Sequence, residues 1–130
     1  MSGKNTSVVD ANAIVSLLVG SERADFQRAC TFFEEVREGT RSAYLSSAVI
    51  AECVYVLTKI YGVSRKDTAD KLLTLLDYRG MVAEPAAIRE ALAIYLSHKV
   101  DFVDALVAAI AKERGFAIFS FDRDLERLAK

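Results

Sequence analysis

The sequence predicts an α/β fold built on a mainly parallel sheet covered on both faces. Short β-branched runs alternate with longer stretches of helical spacing, glycines recur where those stretches stop, and acids stand at strand ends. Strands separated by helices must be joined by crossovers, which makes neighbouring strands parallel. At 130 residues the chain is expected to form one domain, residues 1–130. With 52% apolar and 27% charged residues, it can fill a core and still present a polar surface.

Ser7 to Asp10 reads as the first short strand, followed by helical spacing over Asn12 to Val19 and Arg23 to Arg37, with Gly20 and Gly39 as stops. "SAYLSS", Ser42 to Ser47, reads as a second strand. "SAVIAECVYVLTKIYG" then reads as one helix ended by Gly62. Ser64 is placed to cap the next helix, with Gly80 as its stop. Met81 to Ala83 is a third, weak strand, and Pro85 stands where a first helical turn tolerates proline. Ala86 to His98 and Phe102 to Arg114 follow as helices, "FAIFSF" as a fourth strand, and "DRDLERLAK" as a last helix.

Composition excludes several classes. The longest uncharged apolar stretches, such as Ala11 to Gly20 and Val103 to Ala111, fall short of the roughly 20 residues of a membrane helix. Asp10 interrupts the first apolar run and no cleavage site follows, so no signal peptide is expected and the protein is placed in the cytoplasm. Cys30 and Cys53 lack zinc-site spacing and are expected to be buried reduced thiols. His98 is the single histidine, so no histidine cluster can hold a metal. It sits near a helix end, where a solvated capping role suits it. A net charge of −1 and a pI near 5.8 argue against a passive nucleic-acid clamp. They argue less against a metal nuclease, whose acids count as negative until cations fill them.

The informative residues are acids among apolar neighbours. Glu52 has Ala48, Val49, Tyr55 and Val56 three and four residues away, with no cation placed to pair with it. A carboxylate facing a core needs a partner from elsewhere in the fold, whereas one turned to water needs none. Asp104 has Val100, Asp101, Val107 and Ala108 around it, although Asp101 can be an N-cap and Asp104 a first-turn acid. Asp122 and Asp124 lie between the expected last strand and last helix, where capping explains either. Asp10 ends the first strand, and Asn12 can cap the helix behind it.

Sites in open parallel sheets form beyond the carboxyl ends of strands, where Asp10 and Asp122 are expected. Four carboxylates in one cleft would repel each other, and one or two divalent cations with oxygen ligands, Mg²⁺ or Mn²⁺, would relieve that repulsion. Two such ions roughly 3.5–4 Å apart can activate water and steady both oxygens of a phosphodiester displacement.

"VVDANAIV", "AEC" with Glu52, "DFVDALVAAIA" with Asp104 and "IFSFDRDL" with Asp122, in this order, resemble the PIN-domain ribonucleases. Within that family they are similar to the single-domain toxins of VapBC-type toxin–antitoxin modules. The resemblance implies a three-layer α/β/α domain whose acids bind Mg²⁺ or Mn²⁺ and cut RNA. It assigns Asp10, Glu52, Asp104 and Asp122 to the acidic quartet, with Asn12 and Ser120 as polar support. Asp101 and Asp124 either lend a carboxylate or cap a helix. Ser120 stands where threonine is frequent, and keeps the hydroxyl. A homodimer and a small antitoxin across the active-site groove are also implied, with Arg23, Arg41, Lys59, Lys99 and Arg123 as candidate substrate contacts or plain solvated charges.

Three rival readings remain. A haloacid-dehalogenase-type phosphohydrolase would use the aspartate after the first strand as nucleophile, but usually has a second acid where Asn12 stands. A non-catalytic RNA- or protein-binding module would keep the fold without turnover, against which the full acid set speaks. A receiver-like switch domain would need a mid-sequence phosphoacceptor strand and a late lysine, and neither is visible.

Overall fold

The computed structural model describes residues 6–20, 24–83 and 86–128. The fold is α/β and rich in helix, and the chain divides into two compact units, residues 1–84 and 85–130. Arg23 and Pro85 lie outside the described residues, as do Ala129 and Lys130 of the expected last helix.

In the first unit, β1 (Thr6–Val8), β2 (Ser42–Leu45) and β3 (Met81–Ala83) form a parallel sheet in that order. Thr6 pairs with Ser42 and Val8 with Tyr44, while Ala43 pairs with Met81 and Leu45 with Ala83. β2 is therefore the strand with a ladder on each side. Its Ser42, Ala43 and Leu45 are buried, as a central strand requires.

The crossover from β1 to β2 is made by α1 (Ala11–Val19) and α2 (Phe26–Glu38). Gly39 closes α2 in the left-handed conformation, φ 89°, with its N–H donating to the Glu35 and Val36 carbonyls. α3 (Ser47–Tyr55) and α4 (Arg65–Leu76) connect β2 to β3. Ser46 and Ser64 cap them, accepting from the Val49 and Asp67 N–H groups at 3.2 and 3.1 Å. Ile14, Phe33, Val36, Leu45, Ile50 and Leu72 form the centre of this unit's core.

The single helix expected up to Gly62 instead widens after Tyr55 into a π-helical turn, Val56–Ile60. The Tyr61 N–H reaches back to the Val56 carbonyl at 3.1 Å, and the Thr58 hydroxyl donates to the Val54 carbonyl at 2.7 Å. The extra residue in the turn keeps Leu57 buried while turning Lys59 and Ile60 outward. Gly80 is not the stop of α4, which ends at Leu76. It leads into β3, and its N–H donates to the Val36 carbonyl at 2.8 Å while its own carbonyl accepts from Ala43 at 3.0 Å.

The second unit is a pair of packed helices, α5 (Ala87–Ser97) and α6 (Phe102–Arg114), followed by α7 (Arg123–Leu128). Ala91, Ala105, Ala108 and Ala109 are fully buried, so small side chains let the two backbones approach. Tyr95 and Phe102 meet edge to face, with ring centroids 6.1 Å apart.

The expected fourth strand, "FAIFSF", is not a strand in the structure. Phe119 and Phe121 are 91% and 95% exposed and contact one another at 5.5 Å between centroids. Among the described residues this unit contains no other strand, so nothing within it offers the ladder that an extended segment needs. No described helix is long and apolar enough to cross a membrane.

The close approach at Gly80 generates a stability prediction. A Cβ there would enter the Arg41 carbonyl and lie 3.0 Å from the Val36 carbonyl oxygen, and both are backbone atoms that cannot rotate away. Gly80→Ala is expected to cost about 1–3 kcal/mol, seen as a lower urea midpoint with an unchanged slope.

Candidate functional site

Asp10 follows β1 directly, because the first ladder runs on to the Val9 N–H, which donates to the Tyr44 carbonyl at 3.0 Å. Its side chain is exposed and caps α1, Oδ1 accepting from the Ala11 N–H at 2.8 Å. The sequence offered Asn12 for that task. Asn12 instead lies inside the first turn of α1, exposed, and lines a cavity of about 490 Å³ together with Asp10. The cap occupies one oxygen of Asp10 and leaves the other for a ligand.

Glu52 is exposed on α3, so the face it occupies is not turned into the core. The apolar neighbours that suggested burial are split by the helix, with Ile50, Cys53 and Val54 buried and Ala48 and Tyr55 outside. Asp10 and Glu52 both act on the buried Cys53 thiol. Desolvation chiefly, then these two carboxylates, push its pKa up to about 12. Cys53 is thus an inert core thiol, as expected, while Cys30 is half-buried and also free.

In the second unit, Asp101 occupies the N-cap position of α6 without a side-chain capping bond, and Asp104 sits in the first turn. Asp122 begins α7, its Oδ1 accepting from the Asp124 and Leu125 N–H groups at 2.9 and 3.3 Å. The Ser120 hydroxyl oxygen in turn accepts from the Asp122 N–H at 2.9 Å, which fixes the loop that presents Asp122. Asp124 makes an exposed ion pair with Arg127 at 3.3 Å and carries no sign of a second role.

Asp104 is half-buried, and its carboxyl pKa is raised by desolvation first and then by the charges of Asp101 and Asp122. No cation enters that balance. These three acids therefore sense one another, Asp101 and Asp104 as neighbours three apart at the start of α6 and Asp122 from a later segment.

The donors suit a hard divalent cation: they are carboxylate oxygens, with no histidine among them and a thiol that resists ionisation. Within either unit no three described His, Cys, Asp or Glu side chains gather closely enough to hold an ion on their own.

The remaining expectations fall as follows. His98 is exposed at the end of α5, its Nδ1 3.0 Å from the Ser97 hydroxyl and 3.3 Å from the Ile94 carbonyl, in keeping with a solvated end-of-helix role. Lys59, Lys99 and Arg123 are exposed. Arg41 donates its Nε to Glu35 at 2.8 Å and lies over the Phe32 ring, 5.3 Å from its centroid. Arg28, which the sequence did not single out, lines the cavity that holds Asp10. Its signal was available: Arg28, Phe32 and Glu35 share one face of α2 by helical spacing.

A protein-family model described as PIN domain matches residues 7–130. Among curated proteins the chain is similar to a VapC ribonuclease of Aquifex aeolicus (strain VF5), 29% identical over 123 residues that cover 93% of this chain and 90% of that protein.

The crowding at Asp104 fixes the sign of a pH effect. Because its folded pKa is raised above the ordinary 3.8, the folded state holds the proton more tightly than the unfolded chain. This contribution favours folding at low pH and is lost as pH rises from 3.8 through the folded value. Asp104→Asn is expected to melt at or above the native temperature at pH 7 without metal, the difference vanishing below pH 3.8. A fall of more than about 5 °C in calorimetry would assign Asp104 a structural role.

Proposed function

We propose, from the premise that the chain belongs to the PIN-domain family, that it is a divalent-metal-dependent endoribonuclease and the toxin of a VapBC-type toxin–antitoxin module. The similarity to a VapC ribonuclease along most of both chains supports the RNA-cleaving activity. The structural observation that supports the metal dependence is Asp104, a half-buried carboxyl crowded by two others and answered by no cation among the described residues of its unit. A bound cation relieves that crowding.

The metal-holding carboxylates are Asp10 and Glu52 of the first unit and Asp104 and Asp122 of the second. The family match runs across both units, and it supports the reading that residues 1–130 work as one PIN-like domain. Bound Mg²⁺ or Mn²⁺ supplies activation of water and neutralisation of charge at the phosphodiester. The protein's part is to hold the acids still. Asp10 is fixed by its capping bond to Ala11, Asp122 by its bonds to Asp124 and Leu125, and the loop before Asp122 by Ser120. Asn12 offers an amide beside Asp10 in the same cavity, and Asp101 tunes Asp104 by charge. The toxin reading further brings a cytoplasmic location, a homodimer and a cognate antitoxin that silences the enzyme.

Cleavage of labelled total RNA by the purified protein with Mn²⁺, Mg²⁺ or EDTA tests this directly. Asp10→Asn prepared in parallel excludes a contaminating nuclease. Asparagine keeps the capping oxygen, so the variant should fold normally and lose about 10²–10³-fold in rate. Metal bound with RNA left intact by the native protein would turn the reading to a non-catalytic PIN-like module.

A further inference from the structure

We infer that the outer stripe of α3 and the turn that follows it form a docking surface for single-stranded RNA, in which Tyr55 takes a base and Lys59 and Arg65 take backbone phosphates. This rests on the nuclease reading and adds where the substrate strand runs on leaving Glu52.

The surface is legible first in charge. The chain as a whole carries −1, yet from Cys53 to Lys66 it holds Lys59, Arg65 and Lys66 and no acid. Cations without acids, in a run that begins directly after a carboxylate assigned to the metal, suit a polyanion that has to reach that carboxylate.

Helical spacing then puts the run on one outward surface of the first unit. Glu52, Tyr55 and Lys59 follow one another at that spacing and are exposed, while Ile50, Cys53, Val54 and Leu57 are buried on the other side of the helix. Tyr55 stands one turn beyond Glu52, roughly 4.5 Å along the axis. It is 55% exposed, so its ring is open to stack on a base of a strand that reaches Glu52. The π-helical turn sets Lys59 outward, where it has no ion pair with a described residue. The Tyr61 and Val63 N–H groups close that turn onto the Val56 and Leu57 carbonyls at 3.1 and 2.9 Å. Arg65, exposed, opens α4 directly behind its capping Ser64. Lys59 and Arg65 thus leave from hydrogen-bonded backbone on either side of Gly62. Lys66 is held by Asp70 in an exposed pair at 2.8 Å and takes no part in the assignment. An acidic protein face would answer the cations, but RNA answers both kinds of side chain at once, with bases for the ring and phosphates for the charges.

The test measures anisotropy of a short fluorescein-labelled oligouridine in EDTA, together with KM on a labelled RNA that the native protein cuts with Mn²⁺. In the full chain, Lys59→Ala with Arg65→Ala should raise Kd and KM about tenfold and flatten the log Kd against log salt slope by about 1.4, since each single-strand phosphate contact contributes about 0.7. Lys59→Arg with Arg65→Lys should restore the slope. Tyr55→Ala should raise Kd about tenfold with the slope unchanged, and Tyr55→Phe should restore it, because stacking needs the ring and not the hydroxyl. Lys112→Ala, an exposed charge on α6 paired with Glu90, should match the native protein. Native cleavage with unchanged KM and slope in the double variant would overturn the surface and leave the nuclease reading standing. Failure of the native protein to bind or cut any RNA would remove both. Unchanged RNA affinity in Tyr55→Ala and in the double variant, with a dimer lost in sedimentation velocity, would overturn it in favour of an interface between copies.

Discussion

A parallel sheet cannot be closed by hairpins, because each strand must be carried back across a face before the next can begin. Helices perform that crossover with their own backbone hydrogen bonds satisfied, so sheet and helices are conditions for each other. In the first unit the constraint converges on β2, the strand with a ladder on both sides. Its burial fixes which faces of α1, α2 and α3 turn inward. The glycine at position 80 follows from it, since α2 and the chain entering β2 crowd that backbone from two sides. The strand direction also puts Asp10 at a carboxyl end, where α1 begins.

That junction explains how one residue can serve two ends. The N-terminus of a helix needs acceptors and a cation needs donors of electron pairs, and a carboxylate has two oxygens to divide between them. On Oδ1, Asp10 accepts one backbone N–H and Asp122 accepts two. Capping therefore does not exclude the metal-holding role proposed for these residues. A capped carboxylate is held in one orientation, as a fixed ligand would need to be.

The second unit poses a different problem. Alanines between α5 and α6 let the pair pack closely and bury Leu92, Tyr95 and Phe102, and α6 presents Asp101 and Asp104 at its start. The segment after Gly115 carries three phenylalanines, of which Phe119 and Phe121 are almost wholly exposed. Its composition is that of a strand, but a strand is not a local state: its backbone groups need partners from another segment.

By itself the sequence determined what is local. Alternating periods placed the three strands and seven α-helices of the described residues within a few residues, Ser64 stands where a cap is required, and the order of the acids carried the family. Helical spacing, capping and turn chemistry act over a few residues, which is why they are legible. The tertiary structure decided what depends on distant segments. It turned Glu52 outward although its neighbours in sequence are apolar, widened the turn after Tyr55, left "FAIFSF" without a ladder, and made Gly80 a point of close packing rather than a helix stop. It also brought Asp122 into the electrostatic balance of Asp104, and Asp10 into that of Cys53. Burial, pairing and charge coupling are set by which segments meet in space, and no spacing along the chain encodes that.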